Sequence, residues 1–392
     1  MKSVKNNNTL TVFPEGRIDT NNAPKVEAEL MEAVKAAPGC ELVIDADKLK
    51  YISSAGLRVL MKLRKLCGGS MSIVNVSPEV YDVFDVTGFT EMMRVEKRFR
   101  ELSVEGCEVI GRGFVGTVYR IDEETIVKVY NSPDSLPMIR NEQRLAKKAF
   151  VKGVPTAIPY DIVRVGDKLG TVFELLNAGT FNDILIKEPE RFEEVLDMYA
   201  GAFKTIHGVE MDPGTMPMAR DNALEWLLAL EDYLPREQLD RFRALLSAMP
   251  DDLRIIHGDM QMKNIMLVGD EPMLIDMDTL STGQPVFDLQ GVYVTYVAFP
   301  EDEPGNLRSF LGIPDELGGK IWQGVIRRYF PEAGEDELTG ICEKIMLTGT
   351  VRFLYLVVSS PGLRDTELGA KRIARARERI AQLLPKVSDL LL

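Results

Sequence analysis

The chain has 392 residues, 45% of them hydrophobic and 27% charged, a globular composition in a length that calls for two or three domains. Its formal net charge of −13 argues against general nucleic-acid binding, because such proteins need a basic surface to displace counterions. No apolar run approaches the roughly 20 residues that span a bilayer, the start MKSVKNNNTL lacks the apolar stretch of a signal peptide, and Cys40, Cys67, Cys107 and Cys342 are too scattered for a disulfide framework or zinc site.

Up to about Arg98, short strand-like and helix-like segments alternate. LTVFPEGRID and CELVIDADKL have the β-branched and aliphatic content of strands. NNAPKVEAELMEAVKAA places Val26, Leu30 and Val34 on one helical face, with Pro24 near its start and Pro38-Gly39 closing it. SSAGLRVLMKLRKLCGG repeats that pattern, with a helix starting after Ser54 as its cap and ending at Gly68-Gly69. SMSIVNV is a further strand. SPEVYDVFDVTGF opens with Ser77 as N-cap, Pro78 at the first helical position and Glu79 in the first turn. Acidic and basic residues nearly cancel over this region, so the acidic excess belongs to the remainder.

From about Leu102 the pattern changes. CEVIGRGFVGTVYRIDEETIVKVY reads as strand, glycine-rich turn, strand, turn, strand. SLPMIRNEQRLAKKAFVKG is a helix, and YDIVRVGDKLGTVFELL a hairpin turning at Gly166-Asp167. Beyond Asn177 the chain turns mostly helical, a two-lobed α+β arrangement. The C-terminal AKRIARARERIAQLLPKV is an amphipathic helix, read as packing on this domain.

Gly111, Gly113 and Gly116 form GxGxxG. The segment after Gly116 is strand and hairpin rather than helix, which disfavours a dinucleotide-binding fold and favours a glycine-rich lid over phosphates. Lys128 sits mid-strand in TIVKVY. On an alternating strand it is either a solvent-facing residue or the lysine that holds nucleotide phosphates, with Glu142 on the next helix as its partner. In IIHGDMQMKNIML, Asp259 can orient and accept the proton of an attacking hydroxyl. Asn264, five residues on, and Asp276 in MLIDMD supply the oxygens that Mg2+ prefers. His257 packs and hydrogen-bonds rather than acting as the base. The order of these residues along one chain points to phosphoryl transfer from ATP.

HGDMQMKN with LIDMD after it resembles the aminoglycoside phosphotransferase and choline kinase branch of the protein-kinase-like superfamily, from about Leu102 onward. The resemblance implies that Asp259 and Asn264 are catalytic and that Asn264 and Asp276 hold Mg2+. It implies that Gly111, Gly113, Gly116, Lys128 and Glu142 serve ATP, with Glu174 and Leu176 in the hinge VFELL that contacts adenine. Asp288 in PVFDLQGV is similar to that family's aspartate bracing the catalytic loop. Gln261 stands where many Ser/Thr kinases carry lysine, which favours a small-molecule hydroxyl acceptor. Glu225 and Glu231 are either amine ligands or a solvated helix face.

GRIDTNNAPKVEAEL, YISSAGLRVLMKL and VSPEVYDVFDVTGF together resemble the STAS domain of anti-sigma-factor antagonists over roughly Thr9 to Lys97. There the serine at the N-terminus of the helix after the central strand is phosphorylated by a partner kinase. Ser54 matches it, and Ser53 stands where many members have aspartate. The expectation is an α/β STAS domain over 1–99, docking a protein partner or regulating its neighbour. A bilobal α+β protein-kinase-like domain comes next over 100–392, with a β-rich N-lobe at 100–176 and a helical C-lobe at 177–392. Three functions fit these residues: an ATP- and Mg2+-dependent small-molecule phosphotransferase, a switch phosphorylating its own or a partner's STAS serine, and a nucleotide-binding scaffold without turnover. The setting is read as cytoplasmic, with no nucleic-acid and no membrane partner.

Overall fold

Leu10, Leu42 and Met71 face one another across three short parallel strands, as do Val12, Ile44 and Ile73. All six are buried, and that shared register is what the period-two alternation of apolar residues imposes. The structure is a computed structural model and describes residues 1–6, 8–113, 115–132 and 134–392. Its contacts fall into two units, Met1–Ser103 with Ile162–Gly166, and Val104–Asp161 with Asp167–Leu392.

In the first unit a five-stranded sheet runs in the order Lys2–Asn6, Thr9–Phe13, Glu41–Asp45, Met71–Val76, Arg94–Lys97. The first pair is antiparallel and the rest parallel, so helical crossovers are required, and Ala23–Ala36, Ser54–Leu66 and Pro78–Val86 supply them. Leu30, Leu60, Leu63 and Phe84 of those helices share one core with the strand residues. Ser77 caps the third helix, accepting from the Val80 amide at 3.4 Å. The second helix differs from the sequence reading by one residue: Ser53, in extended backbone, is the cap, and Ser54 is the first helical residue.

In the second unit the strands Lys168–Glu174, Thr125–Tyr130, Gly116–Arg120 and Glu108–Arg112 lie side by side in that order, with the helix Leu136–Val151 next after Thr125–Tyr130 in the chain. The helices Phe192–His207, Ala219–Ala229, Arg236–Ser247, Val286–Tyr293, Glu316–Tyr329, Glu335–Ser359 and Glu367–Leu383 build a second, larger core. The last of these docks through Arg372 to Glu303 at 2.7 Å, Arg375 to Asp302 and Arg379 to Glu301. Three of its arginines therefore bind the domain itself. Among the described residues no helix is long and apolar enough to cross a membrane.

Candidate functional site

The strand Thr125–Tyr130 buries Val127 and Val129 on one side, which turns Lys128 and Tyr130 to the other. Lys128 is not solvent-facing. Its Nζ lies 2.5 Å from Asp276 Oδ1 and 3.3 Å from Glu142 Oε1. The other Glu142 oxygen accepts from the Tyr130 hydroxyl at 2.7 Å, so a buried carboxylate on the helix Leu136–Val151 is fully engaged. Burial works against the Lys128 ammonium, but the charges of Glu142 and Asp276 outweigh it and hold its pKa above the ordinary lysine value.

The glycine segment forms the turn between Glu108–Arg112 and Gly116–Arg120. Gly116 is sterically required, since a Cβ there would stand 2.6 Å from the Val129 carbonyl oxygen. Gly111 and Gly113 would meet only ordinary contacts at 3.7 and 3.8 Å. Phe114, inside this turn, lies outside the described residues. Glu174 is exposed at the end of Lys168–Glu174, where it accepts from the Tyr160 hydroxyl at 3.3 Å, and the Leu176 carbonyl accepts from Ala178 N at 2.8 Å.

Asp259 sits in a loop between two short strand pairs, Ile255–Ile256 with Ser281–Thr282, and Ile265–Val268 with Glu271–Leu274. Asp288, buried in the first turn of Val286–Tyr293, accepts from His257 N at 2.9 Å, Gly258 N at 2.6 Å and His207 Nε2 at 3.0 Å. Burial alone would raise its pKa, yet the His207 hydrogen bond and the two histidines lower it below the usual carboxylate value. Gly258 has φ +85°, and a Cβ there would lie 2.9 Å from the Thr279 carbonyl oxygen, so the loop needs glycine at this turn. Both His257 ring nitrogens are used: Nδ1 accepts from Asp259 N at 3.3 Å, and Nε2 donates to the Ile275 carbonyl at 3.2 Å.

Asp259 is aimed by its neighbours. Oδ1 accepts from Gln261 Nε2 at 2.5 Å and Oδ2 from Asn264 Nδ2 at 3.1 Å. Asn264 spends its amino group on Asp259, which leaves Oδ1 without a hydrogen bond to any described residue. Its backbone carbonyl accepts from Ile275 N at 3.0 Å, which brings Asn264 up against Asp276. Asp276 has φ +63°, a left-handed conformation that costs most residues and is tolerated best by Asp and Asn. Strain of this kind collects at functional sites. The two residues offer hard oxygen donors, the chemistry a Mg2+ ion needs.

Three residues that the sequence did not single out as site members belong to this neighbourhood. Burial, reinforced by the Asp276 charge, pushes Asp278 up to about 7. Burial also lowers Lys263, whose Nζ lies 3.9 Å over the Phe310 ring while Asp259 and Asp276 pull the other way. Arg352 donates to the Gly258 carbonyl at 3.4 Å. A cavity of about 410 Å³ opens beside the loop, walled by Gly258, Asp278, Glu225, Trp226, Arg352 and Tyr355 among others. Glu225 reaches it and Glu231 does not line it. In the first unit, Ser54 is exposed and makes no hydrogen bond to a described residue.

Residues 1–102 match the family model of the STAS domain, and residues 106–313 that of the phosphotransferase enzyme family. The anti-sigma-B factor antagonist of Bacillus subtilis (strain 168) is 30% identical over 97 residues, 24% of this chain and 87% of that protein. The anti-sigma F factor antagonist of Paenibacillus polymyxa is 27% identical over 89 residues, 22% of this chain and 76% of that one. Among solved structures, the ADP-bound aminoglycoside phosphotransferase APH(2'')-Ib aligns with 77% of this chain and 98% of its own, at 14% identity and a TM-score of 0.47.

Proposed function

The chain belongs to the phosphotransferase enzyme family, with a STAS domain ahead of the phosphotransferase domain, and on that premise we propose that it moves the γ-phosphoryl group of ATP to a hydroxyl of a small molecule. The observation that carries this reading is the meeting of Lys128 with Glu142 and Asp276, the latter 148 residues away in sequence, next to the loop that aims Asp259. A carboxylate held by two side-chain amides, with its neighbouring histidine fully used, is placed to take a hydroxyl proton. Lys128 holds the nucleotide phosphates, and the turn closed by Gly116 offers them backbone N–H groups. Glu174, at the end of Lys168–Glu174, and Leu176, two residues beyond it, would contact the base. Asn264 Oδ1 and Asp276 would hold Mg2+, which neutralises charge developing on the transferred group. The cavity beside Gly258 receives the acceptor.

The test is turnover of labelled ATP by the full chain with Mg2+. Asp259→Ala lowers the rate about a hundredfold or more while nucleotide binding persists, and undiminished turnover would remove Asp259 from its role. Asp276→Ala abolishes the Mg2+ dependence of nucleotide binding in calorimetry, and an unchanged dependence counts against it as the metal ligand.

A second reading keeps the same chemistry and changes the acceptor. Ser54 is exposed, unbonded and at the first position of a helix whose N-terminal amides and dipole favour a phosphate. Label that appears on the protein and vanishes in both Ser54→Ala and Asp259→Ala identifies a self-modifying switch. Label that never reaches the protein leaves the small-molecule reading.

A further inference from the structure

Arg352 stands apart from the ion-paired arginines of the second unit. Arg328, Arg372, Arg375 and Arg379 each hold a carboxylate within 2.7 Å. Arg352 lies on the helix Glu335–Ser359 and has no carboxylate within ion-pair distance among the described residues. What it has is a long hydrogen bond to the Gly258 carbonyl, 3.4 Å, and the face of Trp226, whose ring centre lies 5.0 Å from its guanidinium carbon. Trp226 in turn stacks on Tyr355, 5.9 Å between centres and 24° between planes. All three line the 410 Å³ cavity. A half-buried guanidinium with no carboxylate in ion-pair contact recovers its desolvation cost only in part, through the nearby charges of Asp259 and Asp288. Its planar donor fork fits a carboxylate or phosphate with two parallel hydrogen bonds.

We infer that the cavity selects an acceptor bearing an anionic group, held by Arg352 against the Trp226–Tyr355 wall, with its hydroxyl turned to Asp259. This rests on the phosphotransferase reading above and names the acceptor class for the same site. The anion-holding group bonds Gly258, the residue before Asp259, and successive Cα atoms are about 3.8 Å apart. The anionic group and the reacting hydroxyl are therefore a few bonds apart, as in a small hydroxy acid or an alcohol phosphate. Two carboxylates also line the cavity. Glu225 is exposed, so water and salt screen it, and Asp278 is half-buried beside Asp276, with Lys128, Glu142 and Asp259 also near. In the transfer, the acceptor oxygen bonds to the γ-phosphorus as the bond to the β,γ-bridging oxygen breaks. The electron pair leaves with ADP, and the hydroxyl proton passes to Asp259.

The full chain is mixed with Mg2+ and ATP and offered glycolate, 3-hydroxypropionate and glycerol 3-phosphate, beside glycerol and kanamycin. ADP release is monitored, and binding to Asp259→Asn protein is measured by calorimetry. At least one anionic alcohol binds and accelerates ADP release, and glycerol and kanamycin do neither. Arg352→Gln raises KM about tenfold with kcat far less changed, and Arg352→Lys falls between. Kanamycin or glycerol binding as well as the anions overturns the inference, as does failure of every anion to bind. So does an Arg352→Gln protein with lowered kcat and unchanged KM, which reduces the guanidinium to a brace for the loop. Anions that bind through Arg352 without ADP release uphold the cavity and sink the transfer reading instead.

Discussion

Asp288 takes three hydrogen bonds on a carboxylate buried from solvent, two of them from the backbone that leads into Asp259. Its pKa is lowered on folding, so the carboxylate adds stability above the ordinary aspartate range, and that stability is lost as pH falls through the folded value. Asp288→Asn keeps the shape, loses the charge and destabilises the second unit by about 3–5 kcal/mol. It also flattens the acid limb of stability below about pH 4. Denaturant unfolding at several pH values checks both, and an unchanged acid limb removes Asp288 from this role. At this scale the sequence was uneven. The spacing from Asp259 to Asn264 is local and legible, because one loop sets it. Arg352 was not legible, because its partner Gly258 lies 94 residues earlier. The one signal was a lone cation inside the apolar run LTGTVRFLYLVV, which helix periodicity reads as an interruption.

The glycine turn and the helix Ser54–Leu66 show the same limits for elements. Three glycines at GxGxxG spacing look equivalent in sequence, yet only Gly116 lies against backbone, 2.6 Å from a would-be Cβ. Gly116→Ala forces the Thr125–Tyr130 strand to shift, at a cost of about 1–3 kcal/mol, and weakens nucleotide binding. Gly113→Ala changes stability by less than about 1 kcal/mol. Thermal unfolding of the pair checks this, and equal losses would mean that the turn is not set at Gly116. The helix start moved by one residue because two serines stand in a row and both are good caps. The backbone decides, and Ser53 has the extended conformation at φ −97° and ψ 173°. Ser54→Asp then adds a carboxylate to a first helical turn that has no acidic residue, and stabilises the first unit by about 0.3–1 kcal/mol. A loss of stability on that substitution would argue against a phosphate being welcome there.

At the scale of the molecule, the change from short alternating elements to a hairpin-rich and then helical stretch near Leu102 was visible in the sequence, and two separate hydrophobic cores correspond to it. The spatial grouping is less contiguous than any sequence boundary. Ile162–Gly166 groups with the first hundred residues, where Leu102 N donates to the Arg164 carbonyl at 2.8 Å. That pairing joins segments 62 residues apart in number, and no local pattern announces it. We propose that a fragment from Leu102 to Leu392 still folds as a unit and binds ATP, since the larger core lies wholly within it. A fragment that stays unfolded, or fails to bind, would show that the two cores depend on one another. The contact of Lys128 with Asp276 has a further consequence. Each residue now occupies the other, so neither a phosphate nor a cation finds its partner idle. If the two residues hold the ligands proposed for them, a phosphate that draws Lys128 away would free Asp276 for the cation, and a cation on Asp276 would free Lys128 for the phosphate. On the proposed reading the two ligands would raise one another's affinity by the same factor, a mutual lock that opens to the pair and resists either alone.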